Sequence, residues 1–247
     1  MESNFGLDSV SLYMKILQMK LYAVQQMHNP ENSAPPFDPS EPFDPSDPEY
    51  YCSPGFQNLK KVNGFQTLLD HMSSLRDAPV VSVGSGSGYV EKQCMEKIQN
   101  LEMILVDPLD PANNEFCPVP EHLSQKPSYR SVQDLVEAKP EIISNCHLFL
   151  NWTPPNDNYF DYESIVMLEP HKIIICCEVS GSAGSKKLLA WLNYCGVDAT
   201  DLFTHETAED MNITGPLYSV DDSISVDSRC QLGWPTRFML LKLSRNY

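Results

Sequence analysis

Basic residues are scarce in this chain: 17 lysines and arginines stand against 33 aspartates and glutamates, a formal charge of −16 at pH 7 over 247 residues. A surface of that sign repels phosphate-rich partners, so nucleic acid is disfavoured as a substrate. No apolar run reaches membrane-spanning length, and the opening Met1-Glu2-Ser3-Asn4 has neither the basic start nor the apolar core of a secretory leader. A cytoplasmic or nuclear protein with no membrane association is expected. The eight cysteines form no Cys-x-x-Cys pair, and Cys176 and Cys177 are adjacent inside an apolar run. That pattern yields no metal-ligand set and reads as buried thiols in a reducing compartment.

What the chain does have is enough apolar residue, 42% of the total, to bury one substantial core. The expected organisation is an extension over residues 1–56 followed by a domain over 57–247. Within the extension, Tyr13, Leu17, Leu21 and Val24 fall at helical spacing between residues 8 and 28. A proline-rich stretch follows, in which Phe37-Asp38-Pro39-Ser40-Glu41-Pro42 is nearly repeated as Phe43-Asp44-Pro45-Ser46-Asp47-Pro48. Proline removes donors and extends the preceding residue, so this part reads as an acidic extended linker, or as a cover presenting Phe37, Phe43, Tyr50 and Tyr51.

The most informative stretch is Val80-Val81-Ser82-Val83-Gly84-Ser85-Gly86-Ser87-Gly88-Tyr89-Val90-Glu91. Four small or β-branched residues predict a buried strand, three alternating glycines a tight turn, and the following residues a helix with Val90, Cys94, Ile98 and Leu101 on one face. Met103-Ile104-Leu105-Val106 then predicts a second strand, closed by Asp107 nineteen residues after Gly88. A carboxylate there can accept both hydroxyls of a ribose. A dinucleotide fingerprint would need a third glycine where Tyr89 stands, and no Gly-Lys-Ser/Thr supplies a phosphate loop.

Gly84-x-Gly86-x-Gly88 with Asp107 resembles motif I of the class I S-adenosylmethionine-dependent methyltransferases. The resemblance implies an α/β fold with a doubly wound, mostly parallel seven-stranded sheet, S-adenosylmethionine as cofactor, and a cofactor site drawn from Ser82, Gly84, Ser85, Gly86, Gly88, Glu91 and Asp107. Ser82 stands where many members carry an acid, and Glu91 is the residue placed to supply the missing charge. A third strand over Tyr129 to Val132 would be followed by Gln133 and Asp134, where the family often contacts adenine. The irregular, proline-rich run from Pro108 to Pro120 precedes it.

Cys146 to Leu150 predicts a fourth strand, and Asn151 to Pro155 leaves it at the edge where ligands of open α/β sheets bind. This segment resembles a stretched Asn-Pro-Pro-aromatic motif of amino-group methyltransferases, with Trp152 and Thr153 inserted. On that resemblance Asn151, Pro154 and Pro155 are the candidate catalytic residues and an amine nitrogen the acceptor; a plain proline turn is the alternative. Lys172 to Val179 predicts a strand buried on both faces, Ala199 to Thr204 a sixth, and Arg237 to Leu243 the last. Glu178 is a further polar candidate at the carboxyl end of its strand. Three readings follow: a methyltransferase acting on a small molecule or a protein, a non-catalytic interaction module on the same fold, and a nicotinamide-dependent oxidoreductase, which Tyr89 disfavours.

Overall fold

The computed structural model describes residues 64–110, 121–153, 159–179, 183–199, 209, 211–229 and 235–246. The extension over 1–56, Pro154, Pro155, and all but Ala199 of the expected sixth strand lie outside them.

A central sheet organises the described residues. Helix α1 (Gly64–Ser73) leads into β1 (Val80–Val83), followed by α2 (Tyr89–Lys97), β2 (Met103–Val106), α3 (Val132–Ala138), β3 (His147–Asn151), α4 (Phe160–Leu168), β4 (Lys172–Val179), α5 (Lys186–Tyr194), β5 (Tyr218–Arg229) and β6 (Pro235–Arg245). Strand order is β2-β1-β3-β4-β6-β5. The first four strands run parallel, while β6 is antiparallel to both β4 and β5. This is the expected doubly wound, mostly parallel α/β sheet. Among the described residues no helix is long and apolar enough to cross a membrane.

The period of two along each strand divides the core into two layers. Val81, Val83, Leu148, Leu150, Ile173, Ile175, Met239 and Leu241 face Leu135 of α3, Ile165 of α4, and Leu188 and Trp191 of α5. Val80, Phe149, Ile174, Cys176, Phe238 and Leu240 face Leu68 and Met72 of α1 and Val90 and Cys94 of α2. With helices on both faces, central strands must be apolar throughout, and β4 is buried from Ile173 to Val179.

Two expectations about the strands change. Six strands stand where seven were expected among the described residues. The place of the third is taken by a single parallel bridge between Val106 and Tyr129. Ser131 ends any extension there, because its side chain accepts the Asp134 N–H and caps α3. The partner of the last strand is Tyr218–Arg229, a mostly polar stretch downstream of the expected sixth strand over Ala199 to Thr204. Its serines and aspartates suit a sheet edge, where charge on the outward face discourages further pairing.

Trp191 is fully buried and meets Tyr218 edge-on at 5.5 Å between ring centroids. The Tyr218 hydroxyl donates to the Pro170 carbonyl at 2.5 Å, fastening β5 to the loop before β4. The Trp191 indole N–H is buried without an acceptor among the described residues. Trp191→Ala should therefore cost about 3–5 kcal/mol in urea unfolding, whereas Trp191→Phe, which removes the orphaned N–H and keeps a ring, should cost much less. Equal losses would show that the indole nitrogen, not ring volume, holds this layer.

Candidate functional site

In the order β2-β1-β3, the chain leaves β1 toward one side of the sheet and returns through β3 on the other. Side chains of neighbouring loops therefore part at the carboxyl ends of β1 and β3, opening the crevice in which open α/β sheets bind ligands. The glycine turn ends β1 and Asn151 ends β3, with Val83 paired to Leu150.

Gly84, Gly86 and Gly88 all have positive φ, at 72°, 58° and 67°. The Gly84 N–H donates to the Val106 carbonyl at 2.9 Å, and Gly88 N–H to the Ser85 carbonyl at 2.9 Å. A side chain at Gly88 would lie 2.3 Å from the Gln125 carbonyl oxygen, and one at Gly84 would lie 3.1 Å from the Phe160 ring. These two glycines thus admit the protein's own Gln125 strap and Phe160, rather than serving only to let a ligand approach. The strap is held by the Gln125 N–H on the Ser87 carbonyl at 2.9 Å and the Ser128 N–H on the Leu105 carbonyl at 2.8 Å.

Asp107 spans this turn and the loop after β2. One carboxylate oxygen accepts the Gly86 N–H and the other the Leu109 N–H, each at 2.8 Å. Its residue is 7% exposed, and burial raises its pKa against the opposing pull of those two donors. Beside it lies a cleft of about 260 Å³, lined by Asp107, Leu109, Lys126, Ser128, Tyr129 and Arg130 among others. Ser85 adds a buried hydroxyl with no partner among the described residues.

Beneath the turn, the alternation along β1 directs Ser82 toward α2, where Glu91 occupies the first turn. The Ser82 hydroxyl donates to Glu91 Oε1 at 2.7 Å. Glu91 is 1% exposed, and burial first, with the Asp107 charge adding to it, pushes its pKa from 4.5 up to about 7.

The segment after β3 is held by a carboxylate that the sequence reading had passed over. Asp161, buried at the start of α4, accepts from the Thr153 hydroxyl at 2.9 Å, the Ser185 N–H at 2.8 Å and the Ser185 hydroxyl at 2.6 Å. Ser185 also caps α5 through the Leu188 N–H. The loop after β3 and the starts of α4 and α5 are thereby locked together. An acid in the first turn of a helix commonly serves only the helix dipole, so sequence gives no sign of these three donors. Trp152 takes a left-handed conformation at φ 57° and stacks on Phe238, 6.1 Å between centroids. Asn151 is half-buried at the strand end.

Ser82, Gly84, Ser85, Gly86, Gly88, Glu91 and Asp107 are thus gathered at one place. Gln133 and Asp134 sit on the exposed first turn of α3, where the Gln133 amide donates to Glu137 at 2.7 Å. They are not among the residues lining the cleft; Tyr129 and Arg130, just upstream, are.

No family profile and no curated protein matches the chain. Among solved structures, it is similar to a geranyl diphosphate methyltransferase in complex with SAM, at 12% identity and TM-score 0.44, covering 82% of this chain and 93% of that one. A SAM-dependent methyltransferase from Anabaena variabilis matches at 11% identity and TM-score 0.44, covering 76% and 86%. An O-methyltransferase from Bacillus cereus in complex with SAH matches at 9% identity and TM-score 0.40, covering 77% and 82%.

The Glu91 pKa has a direct consequence for stability. Between pH 4.5 and about 7 the folded chain holds a proton that the unfolded chain has lost. The stabilisation is fully present below 4.5 and is lost as pH rises through about 7, a difference of about 3 kcal/mol. Glu91→Gln should match the parent near pH 4 and exceed it by that order at pH 8, read from urea midpoints. A constant difference across that range would contradict the buried, proton-holding carboxyl.

Proposed function

We propose that the chain binds S-adenosylmethionine at the glycine turn and transfers its methyl group to a small-molecule or protein acceptor. The observation that carries this reading is Asp107: a buried carboxylate at the end of β2, bonded to the Gly86 N–H of the turn after β1, beside a cleft lined by the segments after β2 and before α3. Each of its oxygens accepts one backbone N–H and has a further lone pair, and the paired hydroxyls of a ribose can donate to these. The unpartnered Ser85 hydroxyl in the same turn offers a further contact, so the residues present fit an adenosyl ligand.

When bound, the cofactor supplies a methyl group on a sulfonium, already activated for displacement, and the protein's task is alignment in a site that excludes water. Asp107 would fix the ribose, and the turn from Gly84 to Gly88 would carry the amino-acid tail. Tyr129 and Arg130 would border the base. Asn151, at the end of β3, would accept a hydrogen bond from an amine and aim its lone pair. Pro154 and Pro155 complete that proposal from sequence alone. Gln133 and Asp134 remain proposed adenine contacts reached from the exposed turn of α3.

A non-catalytic module on the same fold is the second reading, favoured by Phe160, whose ring packs over Gly84. Tyr89, 4% exposed at the place of a third dinucleotide glycine, argues against a nicotinamide ligand.

Calorimetric titration with S-adenosylmethionine, S-adenosylhomocysteine and NAD separates these. The adenosyl pair should bind and NAD should not, and Asp107→Ala or Asp107→Asn should weaken adenosyl binding at least about tenfold. Binding by none of the three would leave the module reading; binding indifferent to Asp107 would remove the ribose assignment.

A further inference from the structure

The glycine turn has two different sides. Toward β2, the Gly84 N–H donates to the Val106 carbonyl at 2.9 Å, and the cleft beside Asp107 opens there. Toward β3, the space that a side chain on Gly84 would fill is taken by Phe160. Two carbons of its ring lie 3.1 and 3.3 Å from that position, with the Thr153 γ-methyl at 3.6 Å. An aromatic ring thus bridges the loops that part at the carboxyl ends of β1 and β3, while the β2 side stays open.

The backbone behind that ring is fixed. Besides its contacts with Thr153 and Ser185, Asp161 accepts the Tyr162 N–H at 2.8 Å, and the Ser164 hydroxyl donates to the Phe160 carbonyl. Tyr159, just before, is left-handed at φ 49° and lies under the Lys187 ammonium, 4.9 Å from its ring centroid. The Phe160 side chain is only half-buried. Such a ring leaves its place by rotation about its own side-chain torsions, with no shift of the helix that carries it.

Resting on the reading of the turn as an adenosyl site, we propose that Phe160 is a specificity-determining residue that plugs the amino-acid end of that site. Adenine and ribose enter from the cleft on the β2 side and leave the ring in place. The amino-acid tail, laid on the turn toward β3, takes the position of the ring, which rotates away. A ligand with the tail bears the cost of displacing the ring from Gly84 and Thr153, and a nucleoside without it does not. The unliganded turn keeps an apolar cover, and it opens only to a ligand long enough to reach the acceptor side at Asn151.

The test is calorimetry of the full chain with S-adenosylhomocysteine and with 5′-methylthioadenosine, which has the adenine, ribose and thioether but no amino-acid tail. Phe160→Ala should bind S-adenosylhomocysteine about tenfold more tightly than the wild type does, and methylthioadenosine within about twofold. An unchanged or weaker affinity for S-adenosylhomocysteine, or a gain shared equally by both ligands, would overturn the proposal. A second measurement needs no alanine variant. In the wild-type chain carrying fluorinated phenylalanine, the Phe160 resonance, assigned by its loss in Phe160→Leu, should shift on saturation with S-adenosylhomocysteine and hold with methylthioadenosine. A resonance that stays in place with both, or moves equally with both, would overturn the plug while leaving the adenosyl site standing. Binding of neither ligand, by wild type or variant, would overturn the cofactor site and this inference together.

Discussion

The reversal of strand order at β1, with β2 added on one side and β3 on the other, is the constraint on which the rest of the structure depends. Because β2 lies on one side of β1 and β3 on the other, the loops at their carboxyl ends part, as open α/β sheets require at a ligand crevice. Two carboxylates hold its walls. Asp107 clamps the glycine turn to the loop after β2, and Asp161 clamps the segment after β3 to the starts of α4 and α5. Each acid satisfies backbone or hydroxyl donors that burial would otherwise leave unpaired, which is how irregular loops remain ordered beside an apolar sheet.

A third carboxyl, Glu91, is of another kind. It is buried with a single side-chain hydroxyl donor and the Asp107 charge nearby, and burial holds its ionisation back. The fold thus separates acids that tie loops together through several donors from one held by a single side-chain hydroxyl. In a chain of net charge −16 this distinction is local, set by burial and partners rather than by the overall field.

Much of this was legible in the residues. The run from Val80 to Val83, the alternating glycines and Asp107 at nineteen residues' distance each have a backbone reason, and local backbone demands leave clear marks in sequence. The Lys172–Val179 strand was equally plain, because burial on both faces removes every polar residue between Lys172 at its start and Glu178 near its end. The third strand was not, since Tyr129 pairs through a single bridge and the Ser131 cap turns the chain into α3. Strand β5 was hidden by its own edge position: outward-facing serines and aspartates make it read as a loop. The roles of Gln125 and Phe160 were invisible, because they concern which residues pack on Gly88 and Gly84, and no local pattern records contacts between residues so far apart in sequence.

The central claim is that the glycine turn, Asp107 and the cleft beside it form one adenosyl site. Hydrogen–deuterium exchange of the full chain with and without S-adenosylhomocysteine tests it most directly. The account predicts slowed exchange in residues 84–88, 107–110 and 126–130, with α1 and β5 unchanged. Protection that spares the turn and Asp107, or that spreads evenly over the sheet, would contradict it.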